Sequence, residues 1–287
     1  MTTPLLRVEK LERHFEGLRA VDGISFDIAP TEVVSIIGPN GSGKTTTLNL
    51  VTGAIQPNTG TITLNGTRID GLSSVQVAEH GVARTFQNGR VFASMSVADN
   101  IEVGLHSTLR STRPLRGLNG LVLLRWLPLL AELAVALVPT PGSRRERVSI
   151  DRVIQEEVGR FSERLGPRIN EPTYTLSYAN RRRTEIARAL ALQPRLLVLD
   201  EPTAGMNQSE TAEVLNQLVE VKSRGQAILL VEHKLDLVMA VSDRVIVMDG
   251  GRIIAEGPPA AVRNDARVKE AYLGRRRTPT ASEEDAS

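Results

Sequence analysis

At 287 residues, with 41% hydrophobic and 24% charged side chains, the chain has enough apolar material for one large domain or two modest ones and reads as an ordinary globular protein. Its 35 basic residues against 33 acidic ones leave a net charge of +2, which gives no electrostatic footprint for nucleic acid. With no cysteine, disulfides and thiolate metal sites are excluded, which fits a reducing compartment.

The first thirty residues carry charge throughout, from Arg7 to Arg13, and lack the apolar core of a secretory signal, so the chain is expected on the cytoplasmic side. Leu6 to Leu11 alternates in polarity, Ile24 to Ile28 does so again, and Pro30 turns the chain, which predicts an antiparallel start. Phe15 is either a ring that stacks on a nucleotide base or simple packing.

The run Val33 to Ile37 predicts a strand, and Thr46 to Val51 predicts a helix. Between them lies Gly38-Pro39-Asn40-Gly41-Ser42-Gly43-Lys44-Thr45, the pattern GxxxxGK[ST] of a phosphate-binding loop, with Thr46 following. Such a turn points backbone N–H groups inward, and the helix N-terminus adds positive potential toward an anion. Lys44 is suited to the β- and γ-phosphates of a nucleotide and the Thr45 hydroxyl to Mg²⁺. Thr61 to Leu64 before Asn65-Gly66 predicts a strand and a turn.

A helix after residue 75, a strand-like run ending at Gln87 and a helix starting near Ser96 come next. Gln87 is either a group that touches Mg²⁺ or the attacking water, or an exposed loop glutamine. Residues 111–147 are rich in Pro and Gly and read as an insertion. Within it, Leu121 to Val138 has 15 apolar residues in 18, interrupted by Arg125, Pro128 and Glu132, which is too short and broken to cross a bilayer. That stretch either caps the domain or lies against a membrane or membrane partner.

Helical spacing returns from Val153 to Leu165. Ser177 is placed to cap a helix running to just before Pro194, with Arg181, Arg182 and Arg183 either reinforcing its outward positive end or forming a solvated face. Leu196 to Leu199 reads as a parallel strand buried on both faces, ending in Asp200 and Glu201 where ligands of open sheets sit. Asp200 suits Mg²⁺ and Glu201 can polarise a water for attack on a γ-phosphate. A helix over about 209–222, capped by Ser209, leads to the buried strand Ala227 to Val231. His233 at that strand's end could donate a hydrogen bond to the γ-phosphate. A hairpin around Asp249-Gly250-Gly251 follows, and the tail from about Arg275 is expected to be disordered.

These motifs, in this order over roughly 5–275, resemble the ATP-binding cassette (ABC) family. The resemblance implies an α/β P-loop NTPase with a mixed, mainly parallel sheet core, an N-terminal antiparallel β subdomain and a helical subdomain with its insertion over about 88–192. It makes Gly38 to Thr45 the Walker A loop, Gln87 the Q-loop, Leu176 to Asn180 the signature motif, and Leu197 to Glu201 the Walker B strand with its catalytic glutamate. Ala204 to Asn207 becomes the D-loop, His233 the switch histidine, and Phe15 falls at the family's adenine-stacking position. Arg84 to Gln87, Ala204 to Asn207 and the ending from Gly257 to Gly274 look like the LivG/BraF type, the ATPase subunits of bacterial importers for branched-chain amino acids.

Implied with that type are ATP and Mg²⁺, two membrane permease subunits, a second and commonly homologous ATPase subunit, a periplasmic or surface solute-binding protein, and a peripheral place on the cytoplasmic side of the membrane. Ser177, Ala179 and Asn180 would close over the nucleotide of the second ATPase. Where the family's signature reads LSGGQ or LSYGQ, this chain has Ala179 and Asn180; alanine resists positive φ and asparagine reaches less far than glutamine, so a weaker composite site is expected. Urea or amide import and a non-transport ABC ATPase are the alternatives, although the chain has neither the long coiled coil nor the second phosphate loop of the latter. A small-molecule kinase has no use for the Asp200-Glu201 pair followed by a histidine.

Overall fold

The computed structural model describes residues 3–85, 91–105 and 141–273, in two compact units, 1–80 with 221–287 and 81–220. Gln87, the apolar stretch Leu121–Val138 and the tail from Arg275 lie outside the described residues.

In the first unit, β1 (Leu6–Phe15) and β2 (Leu18–Ile28) form an antiparallel hairpin. β4 (Thr59–Leu64) pairs with the other edge of β1, and β5 (Thr67–Arg68) follows the Asn65-Gly66 turn, giving the order β2-β1-β4-β5. The period of two buries Leu6 and Val8 of β1 and Ile24, Phe26 and Ile28 of β2, and a register shift between Val8 and Leu11 carries the buried face on to Leu11 and Val21. β3 (Val33–Ile37) is buried at every position and lies parallel to both β8 (Ala227–Val231) and β9 (Arg244–Asp249). β10 (Arg252–Gly257) closes an antiparallel hairpin with β9. Strands buried along their length need cover on both faces; Ile37, Val245 and Val247 meet Val238 of α8 (Leu235–Val241), Val262 of α9 (Pro259–Asn264) and Val268 of α10 (Ala266–Leu273). The chain passes from β3 through residues 38–43 into α1 (Lys44–Val51), and α2 (Ser74–Glu79) begins at a capping box between Ser73 and Gln76.

In the second unit, β6 (Val82–Arg84) runs parallel to β7 (Leu196–Asp200), whose leucines and valine are 0% exposed. Its helices are α3 (Val97–Leu105), α4 (Pro141–Gly159), α5 (Ser162–Leu165), α6 (Tyr178–Ala191) and α7 (Gln208–Ser223), the last of which ends beyond this unit. α3 starts where the sequence places it, because Ser96 Oγ accepts from the Asp99 N–H at 3.1 Å while the Asp99 carboxylate accepts from the Ser96 N–H at 3.1 Å. The start of α7 is a correction. Its cap is Asn207, whose Oδ1 accepts from the Glu210 N–H at 2.9 Å, while Glu210 accepts from the Asn207 N–H at 3.1 Å. Ser209 sits inside the helix, since the reciprocal Asn207/Glu210 pair satisfies two end donors that Ser209 cannot reach together.

Candidate functional site

The phosphate loop of the first unit is shaped by backbone that crowds it from two sides. Gly38 has φ +151°, and a Cβ there would lie 2.1 Å from the Met248 carbonyl oxygen of β9. Gly43 has φ +103°, and its Cβ would lie 2.3 Å from the Ala20 carbonyl oxygen of β2. Neither position accepts a side chain, which is the physical content of the glycine spacing. The Gly251 N–H in the β9–β10 turn donates to the Ser42 carbonyl at 3.1 Å, and the Gly251 carbonyl accepts from the Asp22 N–H at 2.9 Å, so strand, hairpin and loop are tied into one frame.

Lys44 is buried, and its Nζ donates to the carbonyls of Gly38 and Pro39 at 2.9 Å each, holding the ammonium across the loop. Thr45 is exposed and Thr46 half-buried on the first turn of α1, where the helix dipole favours negative charge. Asn40 and Gly41 are exposed at the crown and Pro39 is half-buried. The Ser42 hydroxyl is buried with no hydrogen-bond partner among the described residues. Ile36 of β3 pairs with Val231 of β8, so His233 leaves the same sheet edge two residues later. His233 is exposed, and its N–H donates at 2.7 Å to the carboxylate of Glu232, itself 2% exposed. Phe15, at the tip of the β1–β2 hairpin, is 41% exposed and carries the Arg13 guanidinium over its ring at 4.6 Å.

In the second unit, Asp200 ends β7 with 2% exposure. The Arg84 guanidinium contacts its Oδ2 at 2.9 Å, while Oδ1 is buried without a hydrogen-bond partner among the described residues. Arg182 Nη2 donates to the Asp200 carbonyl at 2.5 Å, and Arg182 Nη1 pairs with Glu185 at 2.7 Å. Glu201 is half-buried with φ +46°, a conformation that costs a non-glycine residue free energy and recurs at functional sites.

At the start of α6, Ser177 Oγ accepts from the Asn180 N–H at 3.3 Å, so the expected cap is present. Ala179 has the negative φ of a helical residue, which removes the expected strain of a non-glycine there. Asn180 is 5% exposed, and its Oδ1 accepts from Arg183 at 2.5 Å, which turns the amide into the helix.

The arginines that follow depart from the sequence expectation. Arg182 and Arg183 are 1% and 2% exposed, and Arg181 donates to the carbonyls of Thr173, Tyr174 and Leu176. They brace the loop before α6 and the end of β7, instead of forming a solvated or outward-facing positive face, because buried carbonyls and carboxylates need donors. Burial holds the Arg183 guanidinium below its ordinary pKa, against the attraction of Glu213, with which it pairs.

The structure therefore gathers Gly38 to Thr46, Phe15 and His233 in one unit, and Ser177, Ala179, Asn180, Asp200 and Glu201 in the other. Sequence reasoning gave no site role to Arg84 or Glu232 and placed Arg182 on an outward face. The Arg182/Glu185 spacing of three was a signal for a helical ion pair, but nothing local marked the pair as buried.

A glycine-rich loop joining a parallel strand to a helix N-terminus, with a buried carboxylate ending another parallel strand, defines a P-loop nucleotide-binding protein. A sequence profile described as ABC transporter matches residues 21–204. A second, described as Branched-chain amino acid ATP-binding cassette transporter, matches residues 252–277. The chain belongs to the ABC transporter family and is an ATP-binding cassette ATPase. It is 39% identical over 278 residues to the high-affinity branched-chain amino acid transport ATP-binding protein LivG of Salmonella typhimurium, covering 96% of this chain and 99% of that one. Identity to the corresponding BraF protein of Pseudomonas aeruginosa is 38% with the same coverage. A solved ATP-binding cassette of an ABC transporter superposes with a TM-score of 0.75 at 28% identity, over 95% of this chain and 100% of the other.

Proposed function

We propose that this chain is the ATP-hydrolysing subunit of an importer for branched-chain amino acids, acting peripherally on the cytoplasmic side of the membrane. The observation that carries the reading is the glycine-framed loop around Lys44, in a chain matched along nearly its whole length by branched-chain amino acid transport ATP-binding proteins. Among the described residues no helix is long and apolar enough to cross a membrane, so passage of solute falls to permease subunits. A second ATPase subunit and a solute-binding protein complete the proposed assembly. Residues 5–275 form the ATPase domain in this reading, with a helical subdomain over about 88–192 whose insertion meets permease or lipid.

In the proposed chemistry, Gly38 to Thr46 seat the triphosphate of ATP through backbone N–H groups and Lys44, and Phe15 stacks on the base. For Mg²⁺, which takes few protein ligands beside phosphates and water, this reading assigns the exposed Thr45 hydroxyl and also Asp200, whose Oδ1 has no hydrogen-bond partner among the described residues. Gln87 belongs to the same proposed set. When bound, the ion would neutralise charge on the phosphate oxygens. Glu201 orients a water for in-line attack on the γ-phosphorus, the bond to the bridging oxygen breaks, and ADP leaves with inorganic phosphate. Lys44 and a hydrogen bond from His233 stabilise the charge that develops. Ser177, Ala179 and Asn180 serve the nucleotide of the second ATPase through the N-terminus of α6.

The test is Glu201→Gln in the reconstituted transporter. It should keep ATP binding while turnover and uptake of radiolabelled leucine both fall by about 100-fold or more. Normal hydrolysis in the variant refutes the assignment of Glu201. Uptake of urea or an amide, with none of leucine, by the wild-type complex refutes the solute class.

A further inference from the structure

The peptide joining Asp200 to Glu201 is held by a side chain from another element. Arg182 of α6 is 1% exposed and is among the largest fully buried side chains of the described chain. One arm of its guanidinium pairs with Glu185, equally buried, and the other donates to the Asp200 carbonyl. Desolvating such a pair costs about as much as the attraction returns, and apolar residues of similar volume often serve stability as well. Fold stability alone therefore does not account for an arginine here.

What the guanidinium supplies is direction. A peptide unit is planar, so fixing the Asp200 carbonyl oxygen also fixes the Glu201 nitrogen. Glu201 then leaves that plane at φ +46°, in the sparsely populated left-handed region, and the two constraints together set the course of its Cα–Cβ bond. Arg84 grips the same residue from its side chain, through Asp200 Oδ2.

We propose that Arg182 is a positioning residue for hydrolysis: anchored by Glu185, it holds the Asp200–Glu201 peptide so that the Glu201 carboxylate faces the water it orients. This rests on the proposed role of Glu201. It adds that α6, which Ser177 caps and whose first turn carries Ala179 and Asn180, is joined to the Asp200–Glu201 peptide through one guanidinium.

The experiment compares Arg182→Lys, the double variant Arg182→Met/Glu185→Leu, and Glu201→Gln, each as the full chain in the assembled transporter in proteoliposomes. Lysine keeps a charge beside Glu185 but lacks the second arm, and the double variant removes both charges at similar volume. Both should keep the thermal unfolding midpoint near that of wild type. They should bind N-methylanthraniloyl-ATP within about twofold and hold KM, while kcat falls about tenfold or more, the value of one hydrogen bond from a charged donor. If Glu201→Gln is inactive and both Arg182 variants retain wild-type kcat, the positioning role is overturned. A parallel fall in thermal stability, ATP affinity and kcat also overturns it, since that marks a structural residue. If Glu201→Gln turns over ATP normally, the underlying reading of Glu201 fails instead.

Discussion

Gly43→Ala puts the geometry of the phosphate loop to a quantitative test. The added Cβ would stand 2.3 Å from the Ala20 carbonyl oxygen and 3.2 Å from Met248 Cε, at a φ of +103°. Real Cβ contacts stay beyond 3.0 Å, so loop or strand must yield by at least 0.7 Å, the difference of the two distances, and the near atom is backbone. Strain at positive φ costs about 1–3 kcal/mol of fold stability. A shift of this size also misaims N–H groups at a bound phosphate, and each charge-assisted hydrogen bond is worth about 1.5–3 kcal/mol. A net loss of about 3 kcal/mol weakens ATP binding about 100-fold. Gly41→Ala is the internal control, because φ there is +81° but a Cβ meets nothing within 4 Å. Strain shared by the free and the bound loop cancels in binding, so affinity should stay within about fivefold of wild type. Titration of the full chain with N-methylanthraniloyl-ATP reads both. Equal effects of the two substitutions, or binding by Gly43→Ala within about twofold of wild type, would refute the crowding argument.

Further outcomes follow from the second unit and from the frame of the loop. Arg84→Met strands the buried Asp200 carboxylate and should lower stability by about 3 kcal/mol in denaturant unfolding, most of it regained in Arg84→Met/Asp200→Leu; an additive double variant contradicts the pairing. Asn207→Ala should cost about 1 kcal/mol as a lost cap while Ser209→Ala stays within about 0.5 kcal/mol, and the reverse order would restore Ser209 as the cap. The hydrogen bond from Arg252 holds the Asp22 carboxyl below the usual carboxylate range. Its folded pKa is depressed, so its stabilisation is present above the unfolded value near 3.9 and fades as pH falls through the folded one. Melting curves of wild type and Asp22→Asn should therefore differ most near neutrality and converge below about pH 4.

What the sequence by itself determined is what neighbouring residues decide among themselves. The spacing from Gly38 to Thr45, the buried runs Val33 to Ile37, Leu196 to Asp200 and Ala227 to Val231, the Asn65-Gly66 turn and the Ser177 cap all follow from period, turn chemistry and end satisfaction within a few residues. These local rules alone place the carboxylates and the phosphate loop at strand ends. The tertiary structure alone decided which charges are buried and whom they serve. Arg84 lies 116 residues from Asp200 and Arg182 lies 18 away, so their pairing is invisible to local pattern. Three consecutive arginines look like a solvated face until Arg181 is seen to donate to the carbonyls before α6 and Arg182 to the one that ends β7. A charged side chain is retained in a core only where distant partners compensate its desolvation, and that condition is met or missed in three dimensions.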